Sequence, residues 1–289
     1  MKHLLKIQDL SKEEFIKILD LGDELKAKQK SGTPHEVCKG KALAMIFSKR
    51  STRTRVSFEV GITQLGGQPL FLSQDDLQLG TSESIEDTAK VLSRFVDGIM
   101  IRTYKQSDVE ELAQYASIPV INGLTDYCHP CQILSDFMTI REHLGTLNGL
   151  KIAWVGDGNN VCNSVIAACN LFGIKISVAC PKGYEPDVEG ANITQSPLEA
   201  VNGANVVFTD VFASMGQESE KAERLKIFKA YQVNDALMSH ATPNALIQHC
   251  LPAHKGEEIT KEVFDKHPEI FDEAENRLHA QKAVMALLM

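Results

Sequence analysis

Apolar residues along the chain form two kinds of pattern, and the two alternate. Short runs of mainly apolar residues are typical of strands buried on both faces of a parallel sheet. These runs occupy residues 42–47, 98–101, 118–121, 151–155, 174–179, 205–209 and 246–250. Between them, apolar residues recur at intervals of three and four, which is the spacing of an amphipathic helix. Helices are predicted in this way over 84–95, 107–115, 132–144 and 273–288.

Residues that start and stop helices support this alternation. Ser11 and Glu14 have the spacing of a capping box at the start of a helix that closes near Gly32. A further helix follows the first apolar run and ends at Gly66 and Gly67. Alternating strands and helices predict mainly parallel sheets covered by helices on both faces, so the predicted fold class is α/β.

The length of 289 residues suggests two domains. Helix 132–144 closes the first series of strands and leads into the second, so we expect two doubly wound parallel-sheet domains. The first is expected to cover residues 1–134 and the second residues 135–272. Ligands of such sheets bind in a crevice at the carboxyl ends of the strands.

The charge balance narrows the range of partners. Thirty Lys and Arg against 38 Asp and Glu give a net charge of −8, which argues against nucleic acid or an anionic membrane as the main partner. No membrane-spanning apolar stretch and no secretory signal is recognisable, so we expect a cytoplasmic protein. The seven scattered cysteines do not resemble a disulfide framework, and reduced thiols are expected.

Residues 51–55, Ser-Thr-Arg-Thr-Arg, lie between an apolar run and a predicted helix. The first N–H groups of a helix have no partner within it, and guanidinium and hydroxyl groups add donors suited to a tetrahedral oxyanion. This pattern indicates a phosphate site. An ordinary helix cap with solvated arginines fits this segment, taken alone, equally well.

Two further segments of the first domain place polar groups at strand ends. The segment 129–132, His-Pro-Cys-Gln, follows the run 118–121 and opens a helix. A histidine there can donate to a carbonyl oxygen, and the glutamine amide can hold an amino group, although a plain helix cap is the alternative. Arg102 directly follows the run 98–101 and is a weaker signal by itself.

Two cofactor motifs are incomplete in this chain. Cys128 and Cys131 form a C-x-x-C pair, but no second pair supplies the four ligands of a structural zinc site. The turn 156–160, Gly-Asp-Gly-Asn-Asn, resembles part of a dinucleotide-binding fingerprint but lacks its third glycine and the acidic residue after the next strand. We therefore expect no metal and no cofactor, and an asparagine at this turn can instead bind a carboxylate.

The second domain offers an acid and a thiol at strand ends. Asp210 follows a predicted strand and precedes the loop 214–216, Ser-Met-Gly, so it can receive an ammonium group, although a solvated strand-end aspartate is the alternative. His249 and Cys250 close the last predicted strand. Neighbours on a strand point to opposite faces, so these two are poorly placed to share a proton. Cys250 is interpreted as a polar wall of a site and not as a covalent nucleophile.

Taken together, these segments resemble the aspartate/ornithine carbamoyltransferase family in order and over nearly the whole chain. The matching segments are 47–55 with 57–59, Asp126 with 129–132, 156–160, Asp210 with 214–216, 249–252 and 274–277.

The resemblance implies transfer of the carbamoyl group of carbamoyl phosphate to the δ-amine of L-ornithine, giving L-citrulline and phosphate. It also implies that the C-terminal helix 273–289 returns to the first domain. The implied carbamoyl phosphate ligands are Ser51, Thr52, Arg53, Thr54, Gln78, Arg102, His129, Pro130, Cys131, Gln132, Cys250, Leu251 and Arg277. The implied catalytic residues are Arg53, Arg102, His129, Asp210 and Cys250.

The implied ornithine ligands are Leu124, Asn160, Asp210, Ser214 and Met215. Gln78 matches a position that reaches a neighbouring subunit's site in this family, so a homotrimer or a multiple of trimers is expected. The expected partners are the two small substrates, with arginine synthesis and arginine breakdown both open.

Two positions depart from the family pattern, and two rival functions remain. Lys255 stands where arginine is usual, and Phe212 where tryptophan is common, which leaves loop detail open. A putrescine carbamoyltransferase is disfavoured by Asn160, Asp210 and Ser214, which suit an amino acid. A non-catalytic phosphate-binding module is disfavoured because the chain retains His129, Gln132, Arg277 and Cys250 together.

Overall fold

A computed structural model of the chain describes residues 1–74, 77, 83–213 and 218–289. The chain divides into two compact units, Met1–Met138 with Glu275–Met289, and Thr139–Ala274. None of the helices in the described residues combines the length and the apolar character needed to cross a membrane.

The first unit contains a parallel sheet with helices. Its strands are β1 (Ala42–Phe47), β2 (Gln68–Ser73), β3 (Gly98–Arg102) and β4 (Val120–Leu124). Its helices are the 3₁₀ helix Ile7–Asp9, α1 (Lys12–Lys30), α2 (Thr52–Gln64), α3 (Ile85–Leu92), α4 (Gln106–Tyr115) and the first part of α5 (Pro130–Leu144). The strand order is β2-β1-β3-β4, and all neighbours are parallel.

The chain in this sheet reverses its direction of travel at β1. It leaves β1 to form β2 on one side and later forms β3 on the other side. Such a reversal opens a crevice at the carboxyl ends of the two central strands, where Phe47 pairs with Arg102. Ile46 and Ile99 of these strands belong to the same buried cluster as Leu112 of α4, so the strands rest on a fixed support.

The second unit repeats this architecture with five strands. They are β5 (Lys151–Val155), β6 (Lys175–Ala179), β7 (Asn192–Thr194), β8 (Val206–Thr209) and β9 (Leu246–Gln248), in the order β7-β6-β5-β8-β9, all parallel. The α-helices are the rest of α5, α6 (Asn160–Phe172), α7 (Pro197–Val201), α8 (Lys221–Ile227), α9 (Asp235–Met238), α10 (Lys261–Lys266) and the start of α11 (Glu269–Leu288). The 3₁₀ helices are Glu218–Glu220 and Phe228–Tyr231.

The reversal in the second sheet lies between β5 and β8. Val155 pairs with Thr209 where these strands end, so the loops after β5 and β8 flank a second crevice. Trp154 and Phe208, neighbours on these two strands, are buried and stack with ring centroids 6.3 Å apart. The strand ends therefore rest on a packed aromatic pair.

The C-terminal helix α11 packs on the first unit from Glu275 onward. Lys26 of α1 donates to Asn276 over 2.8 Å. Lys282 is fully buried and contacts His35 at 3.1 Å and Gln64 of α2 at 3.0 Å. The predicted return of this helix to the first domain is confirmed, as is the α/β class with two parallel sheets.

Several predicted details differ from the observed fold, including the end of helix 84–95, which is observed at Leu92. The edge strands β2 and β7 were not predicted, because β2 contains Pro69 and has no buried side chain, and β7 has a single apolar residue, Ile193. Strand β4 begins two residues later than the predicted run and continues through Asn122, a buried polar residue whose amide donates to Leu5 O over 2.8 Å. The last strand ends at Gln248, so His249 and Cys250 lie in the loop after it.

Candidate active site

The loop after β1 leads into the N-terminus of α2. Ser51 has an extended backbone and accepts a hydrogen bond from Thr54 N over 3.1 Å, which makes it the N-cap of α2. The adjacent N–H groups at this helix start have no intrahelical acceptor, and the positive end of the helix dipole lies here. Thr52 is the first helical residue and Arg53 is half-buried. The cap and the anion site are therefore compatible readings of one segment.

Two arginines from distant parts of the chain converge on Thr54. Arg102, the last residue of β3, donates to Thr54 Oγ1 over 3.3 Å. Arg277 of α11 donates to the same oxygen over 2.7 Å. All three side chains are buried. This arrangement gathers positive charge and donors at the carboxyl ends of β1 and β3.

Arg277 also joins His129 and Gln132 to this cluster. Its guanidinium donates to Gln132 Oε1 and lies against His129 Nε2, both at 3.1 Å. A guanidinium has no acceptor atom, so Nε2 accepts and the neutral ring carries its proton on Nδ1. Burial, followed by the charges of Arg277, Arg102 and Arg53, holds the pKa of His129 well below its ordinary value. The imidazole is therefore neutral at physiological pH.

The start of α5 fixes His129 and Gln132 in place. His129 O accepts from Gln132 N over 3.1 Å, and Pro130 is the first residue of the helix. Gln132 also donates to Asp136 Oδ1 over 2.6 Å. Leu124, at the end of β4, accepts through its carbonyl from Thr103 N over 3.0 Å.

Lys49 is a candidate site residue that sequence reasoning did not single out. It follows β1, its side chain is buried, and it pairs with Asp126 in the loop before His129. Its ammonium group also lies 4.3 Å from the centre of the Tyr104 ring. Since Asp126 stood among the matching motifs without a partner, a search for a nearby cation could have found Lys49.

The thiols of the C-x-x-C pair are buried within the first unit. Cys131 donates to Asn122 O over 3.3 Å, and Cys128 contacts Gln106 Oε1 at 3.4 Å. Burial raises the pKa of each thiol to about 12. Neutral, hydrogen-bonded thiols act here as packing groups.

In the second unit, the loops after β5 and β8 are joined by a side-chain hydrogen bond. Asn159 donates to Asp210 Oδ2 over 2.7 Å. The other atom of the same amide, Oδ1, caps α6 by accepting from Val161 N over 2.9 Å and Cys162 N over 3.1 Å. Asn160 is the first residue of α6 and is half-buried. Asn159 was not singled out, although an asparagine directly before a helix is a recognisable cap.

The loop after β9 brings a thiol to the same aspartate. Cys250 donates to Asp210 Oδ1 over 3.2 Å. His249 is engaged elsewhere, because its Nε2 lies 3.1 Å from Glu258 Oε1 and its Nδ1 accepts from Leu251 N over 2.9 Å. Leu251 has a φ of 56°. The expected lack of a Cys-His proton pair therefore has a cause in hydrogen bonding.

Two groups of side chains in the described residues lie close enough to share a metal ion. They are Asp210, His249 and Cys250, and His254, Glu257 and Glu258, with ligand atoms within 4.8 Å of one another in each group. Several of these atoms already bond to each other or to the backbone.

Three of the predicted site residues, Gln78, Ser214 and Met215, lie outside the residues that the structure describes. The two departures from the family pattern are both described. Lys255 pairs with Asp265 at 3.1 Å and lies 4.0 Å from the Phe264 ring. Phe212 is buried and stacks on a neighbouring phenylalanine ring.

Comparison with known proteins agrees with the division of the chain into two units. The model of the aspartate/ornithine carbamoyltransferase carbamoyl-P binding domain matches residues 2–142, and that of the Asp/Orn binding domain matches residues 148–288. The ornithine carbamoyltransferase of Carboxydothermus hydrogenoformans is 58% identical over 303 residues, covering 100% of this chain and 97% of the relative. An anabolic ornithine carbamoyltransferase of Pyrococcus furiosus is 52% identical over 303 residues, covering 100% and 96%.

Solved structures show the same likeness. The ornithine carbamoyltransferase structure from Pyrococcus furiosus matches with a TM-score of 0.95 and 51% identity, covering 100% of this chain and 97% of that chain. The resemblance read from the motifs is confirmed: the chain belongs to the aspartate/ornithine carbamoyltransferase family.

Proposed function

We propose that the chain transfers the carbamoyl group of carbamoyl phosphate to the δ-amine of L-ornithine, giving L-citrulline and phosphate in arginine metabolism. The observation that carries this proposal is the convergence of Arg102 and Arg277 on Thr54, beside a neutral His129. Two guanidinium groups that donate to one hydroxyl beside a neutral imidazole suit a phosphate dianion joined to a neutral carbonyl group.

Carbamoyl phosphate binds in the first domain, residues 1–134 with the C-terminal helix 273–289. The start of α2, with Ser51, Thr52, Arg53 and Thr54, holds the phosphate, and Arg102 joins them. Arg277 and Gln132 address the carbamoyl end, together with His129. Because His129 carries its proton on Nδ1 while Nε2 accepts from Arg277, Nε2 can donate to the carbonyl oxygen only after this contact breaks and the ring proton moves to Nε2.

Ornithine binds in the second domain, residues 135–272. Asp210 is the group that receives the α-ammonium, and its carboxylate is already oriented by the Asn159 amide and the Cys250 thiol. Asn160, Ser214 and Met215 complete the amino-acid contacts. A carboxylate held by two donors keeps its geometry without a ligand, which lowers the cost of binding an ammonium group.

The chemistry requires a neutral nucleophile. The δ-ammonium of free ornithine has a pKa near that of lysine, about 10.4, so it first loses a proton to solvent. The amine nitrogen then bonds to the carbonyl carbon, the bond from that carbon to the phosphate oxygen breaks, and phosphate leaves with the bonding electron pair. The second amine proton is lost and is balanced by protonation of phosphate. Donors aimed at the developing oxyanion contribute roughly 3 kcal/mol each.

The deciding experiment is a colorimetric assay for ureido products with three acceptors. Ornithine is expected to give product, whereas putrescine and aspartate are expected to give little. Higher activity with putrescine would favour the diamine enzyme. Binding of carbamoyl phosphate without product from any acceptor would favour a non-catalytic module.

We also propose that the enzyme is a homotrimer or a multiple of trimers. Val56, Val60, Leu70 and Phe71 on α2 and β2 are large apolar side chains that are exposed in the single chain. Two of them, Val56 and Phe71, line a cavity of about 400 Å³. Gln78, which is expected to reach a neighbouring subunit, follows β2 in the sequence. Light scattering should therefore give a mass that is a multiple of three times the 31.9 kDa chain mass.

A cytoplasmic location is proposed on the state of the cysteines. All seven are free thiols in the described structure, and six of them are buried. Free thiols are typical of reducing compartments. Fractionation with a tagged chain would test the location.

A further inference from the structure

Arg224 of α8 is a buried arginine with partners on two different loops. Its Nε donates to the carbonyl oxygen of Phe212, and its Nη2 forms an ion pair with Asp157. Only 6% of its side chain is exposed. The guanidinium lies 4.9 Å from the centre of the Tyr184 ring and 5.2 Å from that of Phe228. A charge this enclosed needs both partners, because burial of an unpaired cation is costly.

The two loops that Arg224 contacts are those that flank the reversal of the second sheet. Asp157 lies in the loop after β5, two residues before Asn159. Phe212 lies in the loop after β8, two residues beyond Asp210. The hydrogen bond from Asn159 to Asp210 joins the same two loops. One guanidinium therefore links the two loops that carry Asn159 and Asp210.

We propose that Arg224 is a positioning residue of the acceptor site, holding the two loops at the spacing at which Asn159 orients the Asp210 carboxylate. This inference rests on the proposed function, because Asp210 is assigned there to the α-ammonium of ornithine. Arg224 acts through its two partners and has no assigned contact with a substrate.

The geometry explains why arginine is needed. Two different nitrogens of one rigid planar group reach two acceptors, while both ring neighbours contact the guanidinium. Lysine offers one charged nitrogen on a flexible stem and cannot hold the same fork. Arg224→Lys is thus expected to keep the positive charge but not to hold the two loops at their observed distance.

The protonation state of Asp157 supplies a second test. Burial raises the pKa of Asp157 to about 6, with the charge of Asp210 adding to this and Arg224 opposing it. Other titratable groups near the pair include Glu220, an exposed carboxylate 4.0 Å from Arg224 Nη1, and the thiols of Cys162 and Cys180, whose pKa values burial raises, the latter to about 11. These thiols stay neutral, so near pH 6 it is Asp157 whose protonation weakens the ion pair with Arg224.

The experiment compares Arg224→Met, Arg224→Lys and Asp157→Asn with Lys226→Met, a control at an exposed position of the same helix. Loss of a hydrogen-bonded charge pair should raise the KM for ornithine about tenfold or more in Arg224→Met, and less in Arg224→Lys. The dissociation constant for carbamoyl phosphate, measured by calorimetry, should stay within about twofold of the wild type, as should both constants in the control. Circular dichroism establishes whether each variant is folded. If Arg224→Met does not fold, the ornithine KM of Arg224→Lys tests the inference.

The pH dependence of the ornithine KM distinguishes a positioning role of Arg224 from a general contribution to stability. The ratio of the ornithine KM of Asp157→Asn to that of the wild type should fall toward one as the pH drops through about 6, because both proteins then lack the Asp157 charge. Ionisation of ornithine cancels in this ratio. A constant ratio, or an unchanged ornithine KM in Arg224→Lys and Arg224→Met, would overturn the inference. A wild type that makes no citrulline would instead refute the proposed function.

Discussion

Arg277 donates to the hydroxyl of Thr54 over 2.7 Å, although 223 residues separate the two in sequence. The bond joins the last helix of the chain to the first turn of α2. It follows that the proposed anion site is complete only after α11 has packed on the first unit. Removal of α11 would take away a guanidinium as well as buried packing surface.

Arg102→Leu is expected to lower turnover about a hundredfold or more while the protein stays folded, because it removes one charged donor from the group around Thr54. Steady-state citrulline formation measures the loss. Thermal unfolding establishes that the fold is intact.

Arg94→Leu is the matched control for this variant, since Arg94 is an exposed arginine of the same unit. Its turnover should equal that of the wild type. Near-normal citrulline production by Arg102→Leu would contradict the proposed binding of carbamoyl phosphate by Arg102.

Cys250→Ser is expected to remain active, with turnover reduced by about tenfold. A serine hydroxyl can replace the thiol as the donor to Asp210, and the proposed reaction needs no covalent intermediate. Cys250→Ala, which has no donor, should lose more activity than Cys250→Ser. Mass spectrometry of the wild type with carbamoyl phosphate is expected to show no adduct, and a carbamoyl thioester on Cys250 would contradict this reading.

The rate at low ornithine concentration is expected to rise with pH from about 7 to about 9, because the neutral fraction of the δ-amine increases toward its pKa of about 10.4. His129 is not expected to add a limb in this range, since its pKa is held well below 6.5 and the ring is neutral throughout. Measurement of kcat/KM at constant ionic strength tests this. A flat profile from about pH 6 to about pH 9 would show that amine deprotonation does not limit the rate.

Lys282→Met is expected to change the pH dependence of stability. Lys282 is fully buried, and burial lowers its pKa to about 8. The unfolded chain holds this proton up to about pH 10.4, so between about 8 and 10.4 it binds more protons than the folded chain, and stability rises with pH. The contribution gained across this window is about 3 kcal/mol, and Lys282→Met should lack it.

Urea unfolding of both proteins at several pH values measures this difference. Lys17→Met is the control, because Lys17 is exposed on α1 and its loss should leave the profile unchanged. Parallel profiles for the wild type and Lys282→Met would mean that Lys282 titrates in the folded protein as it does in the unfolded chain.

The central strands could be predicted from sequence because burial on both faces leaves a continuous apolar run. The runs at Ala42–Phe47 and Lys151–Val155 have the observed bounds. The edge strand Gln68–Ser73 contains Pro69 and exposed side chains, and it is held by pairing with β1, a contact that local pattern does not encode.

In the candidate site too, local features could be predicted from the sequence, whereas contacts between distant segments could not. The segment 51–55 is local, so its place at the start of a helix could be read from spacing. The pairing of Lys49 with Asp126, and of Asn159 with Asp210, depends on which strands become neighbours in the sheets. Arg224 lies on a short helix with no motif, and only its burial against Asp157 and Phe212 marks it.

Each sheet reverses direction between its own pair of central strands, and this arrangement has an evolutionary consequence. The loops after β5 and β8 can be lengthened, shortened or replaced without changing any strand pairing, since they lie beyond the last paired residues, Val155 and Thr209. If these loops bind the acceptor as proposed, a change of acceptor needs changes in two loops only. On the same assignment, the segment 51–55 and Arg102, which address the donor, lie outside both loops and can stay unchanged.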